Sequence, residues 1–213
     1  MPLLAVITGD LVNSTGVAQP DAFRHQLNES LAFMKECYGA NTSVYRGDGF
    51  QLTIPNATDA YEVVLQIRAR LIAASPGSTE RWDARIAIAL GMSSGVKVGQ
   101  NSTVHVNSGR CLDNLGKNRL GVIVGKNMVG FQTATALAAL FIDDIVNGWT
   151  AREAEILSDY LSHRDSQQKI ANRLGVSRPT VTLTLQRAKA NLVDAYIRDM
   201  TTLTEMAYGK HPD

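Results

Sequence analysis

Over residues 3–91 the apolar pattern alternates between the periods of a strand and a helix, and that alternation fixes the fold class. Leu3 to Ile7 is a continuous apolar run ending at Gly9-Asp10, as in a strand buried on both faces. Asp21 to Tyr38 places Phe23, Leu27, Leu31 and Met34 at helical spacing, closed by Gly39-Ala40-Asn41. Ser43 to Arg46 and Phe50 to Ile54 are short strand-like runs around Gly47-Asp48-Gly49, a tight hairpin signal. Asp59 to Ala74 is a second helix with Val63, Ile67 and Leu71 on one face, and Arg85 to Leu90 is a fourth strand. Strand, helix, strand, strand, helix, strand is the order of a ferredoxin-like α+β sheet with its helices on one face. Asn107 to Leu115 suits a further helix, Leu120 to Val124 a fifth strand, and Thr133 to Val146 an Ala-rich helix. Asn147-Gly148 caps that helix. A boundary there divides the chain into an α+β domain, 1–147, and an all-α domain, 148–213.

The 213 residues suit one large domain or two small ones. A formal net charge of +1 gives no argument for nucleic acid, so any such argument rests on local patterning. No window approaches the roughly 18 consecutive apolar residues of a membrane span. The apolar N-terminus lacks the Lys/Arg of a signal peptide. Cys37 and Cys111 show neither metal nor redox spacing. Isolated thiols without an export signal suggest a reducing, cytoplasmic location with no membrane partner.

The C-terminal segment carries the strongest functional pattern. Thr150-Ala151-Arg152-Glu153 fits a capping box. Helix one then runs to about Leu161. Asp165 or Ser166 caps helix two, which carries Ile170, Ala171 and Leu174 and ends at Gly175. Ser177 caps helix three, with Pro179 in its first turn, where a missing amide hydrogen costs little. Val181, Leu185, Ala188 and Leu192 form one apolar stripe. Two short helices joined by Gly-Val-Ser form a helix-turn-helix pattern, whose second helix enters the major groove. Opposite the stripe lie Arg178, Thr182, Gln186 and Lys189; Arg pairs with guanine and Gln with adenine. Lys169, Arg173, Ser177, Thr180 and Arg187 complete the expected DNA contacts. From Arg164 to Lys189 six cations face a single acid, Asp165, a local charge of +5 suited to phosphate. A solvated basic face on an interaction module is the plainer alternative. Leu192, Tyr196, Met200, Leu203 and Ala207 continue at helical spacing, as a surface for packing on the same domain or for a homodimer reading paired half-sites.

In the N-terminal half, Asp10 closes the first strand and Asp48 sits in the hairpin, so both acids belong to one end of the sheet. Paired carboxylates hold Mg²⁺ against substrate phosphates. Asn13, Ser14 and Thr15 offer amides and hydroxyls for a nucleotide, and Arg110 is a candidate for its phosphates. Aspartate is equally at home in turns, which leaves a purely structural reading of both acids. The four histidines have no ligand spacing, and no Walker P-loop, zinc signature or nucleophile-base pair is found.

Three resemblances follow from these residues. Gln167 to Ala190 is similar to the helix-turn-helix of sigma-factor region four and LuxR-type regulators, in Ile170-Ala171, Leu174-Gly175-Val176-Ser177, Thr180-Val181 and Arg187-Ala188. That implies duplex DNA, and for a sigma-like module RNA polymerase, as partners. Asp10 to Thr15 and Gly47-Asp48-Gly49-Phe50 resemble the two metal motifs of class III nucleotidyl cyclases, with Arg85 to Gly91 as the next strand. The likeness spans about residues 5–125 and implies Asp10 and Asp48 as ligands of Mg²⁺ or Mn²⁺ accompanying a nucleotide. The purine-selecting Lys of that family is replaced by Val44, and its Asn/Arg pair is matched only by Asn107 and Arg110, three apart rather than four. Nucleotide sensing is therefore expected rather than turnover, with an active cyclase or transferase as the alternative. Over nearly its full length the chain resembles the SatD-like family, in Gly9-Asp10 through Ser14, Gly47-Asp48-Gly49-Phe50-Gln51, Arg85 to Gly91 and Trp149-Thr150 before the helix-turn-helix; the Glu of the family motif is Gly49 here. The expectation is a DNA-binding transcription regulator with a cyclase-like N-terminal domain.

Overall fold

The computed structural model describes residues 2–45, 48–77, 79–92, 102–125 and 127–209. Five strands form one sheet: β1 (Leu3–Leu11), β2 (Asn41–Tyr45), β3 (Gly49–Ile54), β4 (Ala84–Met92) and β5 (Leu120–Ile123). Eight helices accompany them: α1 (Pro20–Tyr38), α2 (Ala60–Ala73), α3 (Thr103–Asp113), α4 (Val129–Asn147), α5 (Ala151–His163), α6 (Gln167–Leu174), α7 (Arg178–Arg187) and α8 (Ala190–Ala207). A short 3₁₀ turn, Ala57–Asp59, leads into α2.

The strand order is β2-β3-β1-β4-β5. The first four strands pair antiparallel, and β5 joins β4 in parallel through α3. This is the mixed α+β class with the strand–helix–strand–strand–helix–strand connectivity expected of it. The central strand β1 is buried on both faces, as its apolar run requires. Ala5 and Ile7 join the large core under α1 and α2, whereas Val6 packs with Ala89 and Val104 beneath α3. Because strand residues alternate between faces, α3 lies on the sheet face opposite α1 and α2. The helices are thus not confined to one face.

β1 runs one residue past Asp10, the expected close of the strand, because Leu11 pairs with Ala84 of β4. Gly9 is the residue that lets the chain pass: a Cβ there would sit 2.4 Å from the Phe50 ring and 2.8 Å from the Arg85 carbonyl oxygen. Gly47 of the hairpin and His211 lie outside the described residues.

The C-terminal helices share the core of the sheet. Ile7, Phe50 and Ile86 belong to the same buried cluster as Leu157, Ile170, Val181 and Val193. The stripe proposed to run on from Val181 through Leu192 is broken. α7 ends at Arg187, and Lys189 adopts a left-handed φ of 57° before α8 begins. That turn changes the helical phase, so Leu192 and Leu203 are exposed, while Val193, Tyr196, Met200 and Thr204 are buried. α8 folds back onto α2: the Tyr61 and Thr204 hydroxyls are 2.7 Å apart, and Tyr61 meets Tyr196 edge to face. Tyr208 donates to the Leu90 carbonyl and accepts from the Gly125 amide, so α8 packs on its own chain.

Beneath this packing lies a buried charge cluster. Arg68 of α2 is fully buried. Its Nε and Nη2 donate to Asp83, each at 2.9 Å, and its Nη1 donates to Asp143 of α4 at 2.6 Å. Arg119 and Arg81 also donate to Asp83. Burial disfavours both charged forms, but mutual pairing outweighs it: Asp83 is held below the usual carboxylate range and Arg68 above the usual arginine value. Among the described residues α4 is the one helix long and apolar enough to cross a membrane. Asp143 anchors it to this cluster.

Removing one member of a buried ion network leaves uncompensated charge, so Arg68→Met is expected to cost about 3–5 kcal/mol. Urea denaturation followed by circular dichroism reads this. Asp83 has a lowered folded pKa, so its contribution is fully present above the unfolded carboxylate value of about 3.9 and is lost as pH falls through the folded value. The wild-type midpoint should therefore fall in strong acid, and the Arg68→Met midpoint should fall less.

Candidate functional site

Asp10 and Asp48 are brought to one end of the sheet by strand register. Asp10 lies opposite Gly49 on β3 and opposite Arg85 on β4. The Leu11 amide donates to the Asp48 carbonyl at 3.2 Å, so the hairpin residue sits beside the end of β1. The loop after β1 closes over them. Asn13 takes a left-handed φ of 54° and its carbonyl accepts from the Gly16 amide. That turn buries Ser14, whose hydroxyl donates to Asp48 Oδ2 at 2.8 Å. Asn13 and Thr15 remain exposed.

Sequence reasoning missed Arg85 as a member of this group. Its Nε and Nη2 donate to the two Asp10 oxygens at 2.9 and 2.5 Å, a bidentate pair that raises the Arg85 pKa. The signal was present: an arginine directly opposite an aspartate on an antiparallel neighbour is a cross-strand ion pair. Beside this pair, on the α3 face, Gln51 donates to Thr8, and the Thr8 and Ser108 hydroxyls are 2.6 Å apart. His105 is buried next to Ser102 and Thr53, and burial lowers its pKa.

Both Asp10 oxygens are occupied by a guanidinium, and the Asp48 carboxylate accepts from Ser14. Among the described residues no group of three or more His, Cys, Asp or Glu side chains could hold a metal. In this arrangement a divalent cation at this sheet end would compete with Arg85 for Asp10. Arg110 is not part of the cluster. It is exposed on α3, with Asn107, along a cavity of about 850 Å³ between α3, β5 and α4. It makes no hydrogen bond or ion pair to Asp10 or Asp48. Val44 is exposed on β2.

The second candidate surface is built from α5 to α7. The capping box forms: the Glu153 amide donates to Thr150 Oγ1, and the Thr150 amide donates to Glu153. Ser166 caps α6, Gly175 ends it at a left-handed φ of 63°, and Ser177 accepts from the Thr180 amide. The turn between α6 and α7 is thereby fixed at both ends. Val181, Leu185 and Ala188 are buried. Arg178, Thr180, Leu183, Gln186 and Arg187 form the exposed face of α7. Thr182 is half-buried and donates to Gln167 of α6, so it ties the two helices together. Lys189 lies past the end of α7, in the turn before α8.

The local excess of positive charge is smaller in three dimensions than along the chain. Arg173 pairs with Asp159 through two hydrogen bonds and with Asp165, and Lys169 also pairs with Asp165. Arg164 pairs with Glu62 and Asp194. These acids lie outside the short window, apart from Asp165, and so escaped a linear count. Arg178, Arg187 and Lys189 have no ion-pair partner among the described residues.

No protein-family model matches the chain, and no curated protein matches it. Solved structures similar in part include the GGEEF domain of a diguanylate cyclase from Vibrio cholerae, at 14% identity and a TM-score of 0.44, covering 57% of this chain and 82% of that one. A bacterial light-regulated adenylyl cyclase is similar at 14% identity and a TM-score of 0.43, over 55% and 73% of the two chains. A guanylyl cyclase domain of the RhoGC fusion protein from Blastocladiella emersonii is similar at 15% and 0.40, over 54% and 75%.

The Arg85 clamp leads to a direct test. Wild-type protein should bind Mn²⁺ weakly in a calorimetric titration. Arg85→Ala should tighten binding about tenfold by releasing one carboxylate, the equivalent of about 1.4 kcal/mol. Asp48→Asn in that background should remove the gain.

Proposed function

We propose that the chain is a DNA-binding regulator that presents the exposed face of α7 to the major groove. The observation that carries the proposal is the α6–α7 unit, a helix-turn-helix with both helices capped by serine side chains and a left-handed glycine turn between them. Its second helix offers Arg178, Thr180, Gln186 and Arg187 to solvent, with Lys189 at its end. Arginine and glutamine are the side chains that read guanine and adenine edges. The motifs shared with SatD-like proteins and with sigma and LuxR-type helix-turn-helices support this reading. Contact with RNA polymerase is the variant of it in which the same face meets protein.

In the same proposal, the Asp10–Asp48–Ser14 end of the sheet receives a nucleotide ligand. A Mg²⁺ or Mn²⁺ ion carried by that nucleotide would meet Asp48 first, because Asp10 is held by Arg85. One observation favours the second reading, a nucleotidyl cyclase or transferase: both aspartates occur at a single sheet end. Arg110 stands apart from them, which leaves a transferring phosphate without its expected donor. Incubation with Mn²⁺ and each nucleoside triphosphate is expected to give no cyclic product. A product lost in Asp48→Ala would make the second reading the correct one.

For DNA, three unpaired cations set the salt dependence. The logarithm of affinity should fall with the logarithm of salt at a slope of about −3 per copy, from roughly −0.9 per neutralised phosphate. Arg178→Ala should cost roughly 1–3 kcal/mol at a specific site and lower the slope by about 1. Arg173→Ala should lower stability while leaving the slope in place. Fluorescence anisotropy with duplexes captured from genomic DNA measures both. Affinity independent of salt would end the proposal.

A further inference from the structure

We propose that the exposed face of α4 is the interface of an antiparallel homodimer, in which α4 packs against α4 of a second copy. The outer face of this helix carries no charge for four turns. Val129, Leu137, Leu140 and Phe141 are 77%, 53%, 47% and 67% exposed, with Thr133 and Ala134 exposed between them; Val129, Thr133 and Leu140 also border the cavity between α3, β5 and α4. Successive members of this set fall on one side of a helix with 3.6 residues per turn. Soluble chains rarely leave such a contiguous apolar stripe to water without an occupant.

Charge and shape select a second copy, oriented antiparallel. The stripe ends at exposed Asp144, while the first turn of α4 has no side-chain cap for its amides. A carboxylate is stabilised next to a helix N-terminus. One helix carries both halves of this complement, at opposite ends of one stripe. A two-fold pairing satisfies both ends at once, with Leu137 near the axis and Asp144 beside the partner's Val129. Bulk matches across the same axis. Phe141 falls opposite the flank that holds Gly130 and Ala134, where the structure leaves open space around Gly130. Large side chains therefore meet small ones, as ridges-into-grooves packing requires. Asp143, on the inner side of α4, is fixed to Arg68 and to the Arg119 amide, so the helix is held in place to present this face.

The proposal stands independently of DNA binding. The full chain should sediment as a dimer at micromolar concentration. Leu137→Glu, an exposed site, should leave the circular dichroism unchanged and raise the dissociation constant roughly 100-fold, since it sets like charges together at the axis. Orientation is tested by cysteine pairing in a background carrying Cys37→Ser and Cys111→Ser. Leu137→Cys should form an intersubunit disulfide, and Val129→Cys should cross-link with Asp144→Cys but not with itself. A wild-type monomer, a dimer unaffected by Leu137→Glu, or Val129→Cys self-pairing would each overturn the proposal. So would co-sedimentation of a wild-type monomer with phosphatidylcholine vesicles, which would make a lipid surface the occupant.

Discussion

Arg68 is the residue on which the rest of the arrangement depends. A guanidinium placed in a dry interior is tolerated only where carboxylates meet it in good geometry. Asp83, at the threshold of β4, and Asp143, on α4, supply them. The pairing therefore fixes the position of α2 beneath the sheet and of α4 beside it. Arg81 carries the connection further, donating to the carbonyls of Val146 and Trp149. The Trp149 indole then donates to the Ala188 carbonyl at the end of α7. From the other side, the Val12 amide donates to the Asp83 carbonyl, so the loop that carries Asn13 and Ser14 hangs from the same point. A continuous set of hydrogen bonds thus runs from the sheet end holding Asp10 and Asp48 to the helix with the exposed basic face.

The two candidate surfaces differ in how they use charge. At the sheet end the charges are matched in place: Arg85 holds Asp10, and Ser14 holds Asp48. At α7 they are divided by position. The cations of α6 and of the turn before it are paired with Asp165 of that turn and with acids of α2, α5 and α8, and those of α7 and its C-terminal turn are left to solvent. Pairing of Arg173 and Arg164 stiffens the unit that aims α7. Arg178 and Arg187 on α7, and Lys189 just past its end, have no ion-pair partner among the described residues.

Local patterning made much of this legible. Strand and helix order followed from apolar period, and the caps at Thr150, Ser166, Ser177 and Gly175 followed from residue type and spacing. What escaped was long-range. The partners of Arg68, Arg85 and Arg173 are distant in the chain, and a linear charge count cannot see them. The break at Lys189 was also hidden, because Leu192 and Leu203 keep helical spacing on both sides of a phase change. The placement of α3 on the opposite face required knowing which side of β1 holds Val6. Arg110 was drawn toward the aspartates by spacing, whereas the face of α3 that bears it turns to β5 and α4.

Hydrogen exchange on the full chain with and without a captured duplex addresses the central claim most directly. The account predicts that DNA slows amide exchange in residues 177–189, with the β2–β3 hairpin unchanged. Slowing confined to the sheet face, with α7 exchanging at the same rate in both samples, would contradict it.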